Sequence, residues 1–79
     1  MPREKFDNYV LSRLAMEKII RKAGADRVSE SAKVALGELL EKVGVEISKM
    51  AVDNAIHAKR VTIKDDDIKL AHKQWLTAF

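Results

Sequence analysis

The sequence predicts an all-α fold: a short helix, a loop, a long helix, a second loop and another short helix. Three observations carry this. Apolar residues recur at helical spacing along most of the chain. Breaker signals are confined to Gly24 with Asp26 and to the stretch from Lys59 to Thr62. Only the triplets Arg27-Val28-Ser29 and Val61-Thr62-Ile63 favour extended backbone, and each is too short to make a sheet alone.

The first helix is expected near residues 12–23, with Ser12 as its N-cap and Leu14, Met16, Ile19, Ile20 and Ala23 as its apolar positions. Gly24 stands where a helix C-terminus favours a residue without a Cβ. Upstream, Phe6, Tyr9 and Val10 have helical spacing and form either a short extra helix or an extension of the first.

The long helix is expected over about 30–58, with Ser29 as N-cap and no proline inside. It carries two apolar stripes. Leu36, Leu39, Leu40, Val43, Ile47, Met50 and Ala51 form one, and Val34, Val45, Val52 and Ile56 form a second on the opposite side. A surface helix buries one face. About 27 residues at roughly 1.5 Å each also make a rod of about 40 Å, whereas a compact domain of this length has a diameter near ~30 Å. The arrangement that satisfies both stripes is a second copy crossing the first, which predicts an obligate dimer. The two extended triplets, one from each chain, are placed to pair at the ends of such a crossing.

The third helix is expected near 64–77. Thr62-Ile63-Lys64-Asp65 fits a capping box loosely, and Asp65, Asp66 and Asp67 suit the positive end of the helix dipole. Ile68, Ala71 and Trp75 form its apolar face, with Leu76 and Phe79 beyond, and Trp75 is expected in the core.

Composition narrows the class. The chain has 79 residues, 47% hydrophobic and 34% charged, which is a single small globular domain. Chains this short bury about 60% of their unfolded surface and often need a disulfide, a metal or a partner. There is no cysteine, so association is the expected remedy. Uninterrupted apolar runs reach three residues, as at Leu14-Ala15-Met16 and Met50-Ala51-Val52, so no membrane span is expected. Met1-Pro2-Arg3-Glu4-Lys5 leads into no apolar stretch, so no secretory signal is expected and the default location is intracellular.

Fifteen basic and twelve acidic residues give a net charge of +3. Residues 1–27 carry a net +3, residues 28–56 a net −2 and residues 57–79 a net +2. Positive charge therefore lies at both ends of the chain, a nucleic-acid footprint if a fold brings them together. Catalysis is not expected, because two histidines on helices and no glycine-rich loop supply neither a nucleophile–base set nor a phosphate cradle. Asp65, Asp66 and Asp67 with His72 are not expected to bind metal, since consecutive helical residues diverge by about 100°. No cofactor or small-molecule substrate is expected.

Two blocks carry a resemblance. Ile19-Ile20-Arg21-Lys22-Ala23-Gly24-Ala25-Asp26-Arg27-Val28-Ser29 and Arg60-Val61-Thr62-Ile63-Lys64-Asp65-Asp66-Asp67-Ile68 resemble the two loop regions of archaeal-type histones, a likeness that extends over roughly residues 11–75. It implies a histone fold within residues 11–79, preceded by an extension of residues 1–10. It further implies a handshake homodimer, joined into tetramers or larger assemblies, that compacts double-stranded DNA in the cytoplasm as part of the nucleoid. In such dimers the first loop of one chain lies beside the second loop of the other.

Carried over by position, the resemblance makes Arg27 a minor-groove arginine and places Lys18 on the DNA-facing side of the first helix. Ser29, Thr62 and Lys64 fall at phosphate-contacting positions, with Arg21 and Arg60 on the flanking basic surface. Arg60 and Asp67 match a pair that clamps the second loop to the third helix, and His57, Asp67 and Leu70 match a dimer–dimer interface. The sequence departs from the family in five respects. Ser12-Arg13-Leu14-Ala15 replaces prolines, Lys59 a small residue (usually glycine), Val61 a basic residue and Asn54 an apolar one, and about ten residues precede the family core. The alternative in another class is a histone-fold interaction protein, like the chains of the CCAAT-binding factor, pairing with a different chain. Wrapping, bridging and coating of DNA all fit the sequence.

Overall fold

The computed structural model describes residues 11–78. It contains α1 (Arg13–Lys22), α2 (Glu30–His57) and α3 (Asp65–Leu76), with no strand among the described residues. The expected short–long–short order is present, with boundaries within one residue of those read from the sequence. Phe6, Tyr9, Val10 and Phe79 lie outside the described residues. The chain divides within α2 into two compact units, the first ending at Lys42 and the second beginning at Val43.

In the first unit, both helix starts are capped as the sequence predicts. The Ser12 hydroxyl accepts a hydrogen bond from the Ala15 N–H at 3.0 Å, and the Ser29 hydroxyl accepts one from the Ala32 N–H at 3.1 Å. Met16 is buried from the inner side of α1. The helices are also linked through charge. Lys33 Nζ sits 2.9 Å from Glu17 and 2.8 Å from Glu30, and Arg13 lies 3.4 Å from Glu30. Hydrogen bonds from Lys33, with a contribution from Arg21 at Glu17, hold both glutamate carboxyls below the usual range, while Glu30 and Glu17 raise the Lys33 ammonium.

The second unit packs the later turns of α2 against α3 through small residues. Ala51, Ala55 and Ala71 are buried, which allows close backbone approach. Polar ties cross the same seam. Asn54 Nδ2 donates to Gln74 Oε1 at 3.2 Å and to the Asp67 carbonyl at 3.5 Å. Trp75 Nε1 donates to Glu46 Oε1 at 3.2 Å, and its ring stacks near His72 with centroids 6.5 Å apart. Trp75 is thus half-buried at the edge of the seam and not in the core. The indole N–H needs a partner, and Glu46 supplies one.

The cap of α3 also differs from expectation. The N-cap is Lys64, not Thr62, and the reaching-back acid is Asp67, whose Oδ2 accepts from the Lys64 N–H at 2.8 Å. Lysine has no acceptor atom, so only the acid's side of a capping box is made.

The two stripes of α2 differ sharply in cover. Along the first, Leu36, Leu40, Val43, Ile47 and Met50 are half-buried and Ala51 is buried, with Leu39 exposed. Along the second, Val45, Val52 and Ile56 remain 48%, 42% and 61% exposed. A single chain therefore satisfies most of one stripe and leaves most of the other in water.

Candidate nucleic-acid interface

The first loop runs from the end of α1 to the start of α2. α1 closes in a Schellman turn: the Gly24 N–H donates to the Arg21 carbonyl at 2.9 Å and the Ala25 N–H to the Ile20 carbonyl at 3.4 Å. Gly24 takes φ 114°, a conformation that a Cβ would strain. Arg21 then reaches into the loop. Its Nε pairs with Glu17 at 2.8 Å and its Nη1 donates to the Asp26 carbonyl at 2.7 Å. The arginine assigned to the flanking basic face is therefore engaged in holding the loop's backbone. Arg27, one residue further on, is exposed and has no side-chain partner among the described residues, and the same holds for Lys18 on α1. Ser29 is exposed, but its hydroxyl already caps α2 and lies 3.2 Å from Ser31 Oγ.

The second loop is held by one side-chain pair. Arg60 Nη1 and Nη2 each meet a carboxylate oxygen of Asp67 at 2.8 Å, a bidentate fork, and Nη1 also donates to the Thr62 carbonyl at 3.0 Å. With the Lys64 N–H on Oδ2, the carboxylate receives three hydrogen bonds and is only 4% exposed. Bonding to Arg60 foremost, then to the Lys64 N–H, holds the Asp67 carboxyl down to about 2, and Asp67 in turn raises Arg60. Thr62 and Lys64 stand exposed on the loop so fixed, and Val61 is 98% exposed.

Of the residues assigned to a dimer–dimer contact, His57 and Leu70 are on the surface and Asp67 is inside its clamp. His57 Nδ1 lies 2.9 Å from the Asp53 carbonyl, at a shallow cleft lined by Met50, Asp53, Asn54, His57 and Gln74. The Asn54 amide, polar where the family is apolar, bonds to α3. Lys18, Arg21, Arg27 and Ser29 belong to the first unit, and His57, Arg60, Thr62, Lys64, Asp67 and Leu70 to the second.

Two loops, each braced by an arginine bound within the chain and each presenting further basic residues, match a described family. The family model for histone-like transcription factors (CBF/NF-Y) and archaeal histones aligns with residues 11–71. This chain belongs to that family. It is similar to one of the subunits of archaeal histone HAN1 of Thermococcus zilligii, with 50% identity over 58 residues, 73% of this chain and 87% of the relative. It is equally similar to probable archaeal histone 3 of Methanocaldococcus jannaschii, with 50% identity over 54 residues, 68% of this chain and 81% of the relative. As a member of the histone-like family, the chain departs from its pattern at the second loop, where Lys59 has positive φ and Val61 is a fully solvated aliphatic. Position 59 is conspicuous only through its backbone, so the residue types alone gave no signal there beyond an absent glycine.

Proposed function

We propose that the protein is an architectural DNA-binding histone: a handshake homodimer that compacts double-stranded DNA largely without sequence specificity, as part of the nucleoid. The observation that carries this reading is the division of labour among the basic residues at the loops. Arg21 and Arg60 brace the loops from within, while Arg27, Lys18 and Lys64 are exposed. Loops with fixed backbones and uncommitted cations suit phosphate and minor-groove contact, because little order must be imposed on binding. Dimerisation is supported by the exposed stripe of Val45, Val52 and Ile56. The histone-fold domain spans residues 11–79, and residues 1–10 form its extension. Dimers join further around His57 and Leu70.

The test is affinity for random-sequence duplex as a function of salt, with protein first sized by sedimentation. Sub-micromolar binding whose log K falls on log salt with a slope of several supports the reading. Arg27→Ala is expected to weaken all sequences alike. Flat or absent binding by a folded homodimer would overturn the proposal.

A second reading is favoured by two observations: the Thermococcus relative at 50% identity is named as one of several subunits, and Val61 presents methyl groups where a basic residue is usual. In that reading the chain pairs with a different histone-fold partner. A stable homodimer in sedimentation excludes it as the main state.

A further inference from the structure

Both α1 and α2 end in the same turn, which gives an internal comparison. At α2 the Lys59 N–H donates to the Ile56 carbonyl at 2.8 Å and the Arg60 N–H to the Ala55 carbonyl at 2.9 Å, the bond pattern already seen at Gly24 and Ala25. At α1 the residue of positive φ is a glycine. At α2 it is Lys59, with φ 60°, and no other non-glycine residue among those described has positive φ. In this conformation a Cβ crowds the following carbonyl, so glycine is favoured over lysine. A lysine at a helix C-terminus gains from the helix dipole, but that gain is screened by salt and smaller than the steric penalty. The turn itself therefore selects against lysine.

The surroundings show what the charge offers. Lys59 is exposed, and its ammonium has no hydrogen bond or ion pair among the described residues. Its backbone root is fixed by the turn on one side and by the Arg60–Asp67 fork on the other. Arg60 is occupied by that fork and Val61 carries no charge, so Lys59 and Lys64 are the cations this loop presents outward.

We propose that Lys59 is a phosphate-binding residue of the second loop, retained against the conformational preference of its turn because it supplies the positive charge that Val61 does not. This rests on the DNA-binding reading above.

Two readouts that move in opposite directions test it: thermal unfolding at fixed protein concentration, and affinity for random-sequence duplex against salt. Lys59→Gly is expected to raise Tm by several degrees through relief of the turn. The same variant is expected to lower the salt slope by about 1.8 per dimer, for two phosphates at about 0.9 each. That change is roughly a 60-fold loss of affinity at 0.1 M salt, vanishing toward 1 M. Lys59→Asn, which tolerates positive φ without charge, is expected to show the same lowered slope, and Lys59→Arg to keep the wild-type slope. A raised Tm with unchanged slope and affinity overturns the proposal, as does a lowered Tm, which would mean that lysine suits the turn. Failure of the wild-type homodimer to bind duplex overturns the DNA-binding reading and this proposal with it. Normal wild-type binding with an unaffected Lys59→Gly overturns this proposal alone.

Discussion

The exposed stripe of α2 makes a quantitative demand on the dimer, and Ile56→Glu tests it at its most exposed point. Val45, Val52 and Ile56 are 48%, 42% and 61% exposed, together about one and a half whole side chains in water per protomer. Fully burying an aliphatic side chain is worth about 1.5–3 kcal/mol. Covering the exposed part of Ile56 is therefore worth about 1–2 kcal/mol per protomer, and a two-fold interface counts it twice, about 2–4 kcal/mol per dimer. At about 1.4 kcal/mol per decade this is a roughly 30- to 700-fold rise in the dimer Kd. Glutamate adds the desolvation of a carboxylate, so the expected effect lies at or above the upper end. Sedimentation equilibrium over a roughly hundredfold range of concentration reads the Kd directly. Thermal unfolding gives a second view, because a dimer that folds as it assembles melts at a Tm that rises with concentration. Ile56→Ala, lacking the charge, is expected to fall between wild type and Ile56→Glu. If Ile56→Glu sediments and melts as the wild type does, the stripe is not the interface. If the wild type is a monomer whose Tm ignores concentration, the dimer itself is refuted.

Three further outcomes follow from local geometry. Asp67 is held at about 2 in the folded chain, below the ordinary carboxylate value of ~3.9, so its contribution to stability is fully present above about pH 4 and is lost as pH falls toward 2. Asp67→Asn is expected to lower Tm at pH 7 and to flatten its decline across that acid window; parallel Tm–pH curves for variant and wild type would remove the fork from the account. Met16, 2% exposed on α1, is the largest fully buried side chain among the described residues, and Met16→Ala is expected to destabilise by about 2–5 kcal/mol in chemical denaturation. Loss of less than about 1 kcal/mol there would mean that the site collapses freely. For Arg27→Ala, uniform weakening on sequences of differing base composition is expected; loss confined to one sequence class would contradict phosphate-dominated binding.

The helices were legible because their signals are local. Ser12 and Ser29 sit directly before helical runs, and a hydroxyl in that place bonds the nearest free N–H whatever lies elsewhere. Gly24 marked its turn because the turn needs positive φ. The start of α3 was misplaced for the opposite reason. Thr62 and Asp65 satisfy a local pattern, but Asp67 gains the Arg60 fork as well as the Lys64 N–H, and a partner seven residues away outweighs local spacing. Lys59 carried no sequence signal for its backbone, because its conformation follows from the bonds of the residues on either side of it.

The same distinction limits what charge counting tells about DNA binding. Arg21 and Arg27 are indistinguishable as sequence, yet a backbone carbonyl at Asp26 and a carboxylate at Glu17 engage one and not the other. Arg60 is likewise engaged by Asp67. The cations at the loops with no partner among the described residues are then Lys18, Arg27, Lys59 and Lys64, four per protomer and eight per dimer. At about 0.9 per phosphate, these support a salt slope of at most about 7. A measured slope well above that bound would require Arg21 or Arg60 to leave its partner, or cations away from the loops to reach DNA. Substituting Glu17 distinguishes these cases: Glu17→Gln frees Arg21 in part, and it steepens the slope only if Arg21 still holds to the chain in the complex.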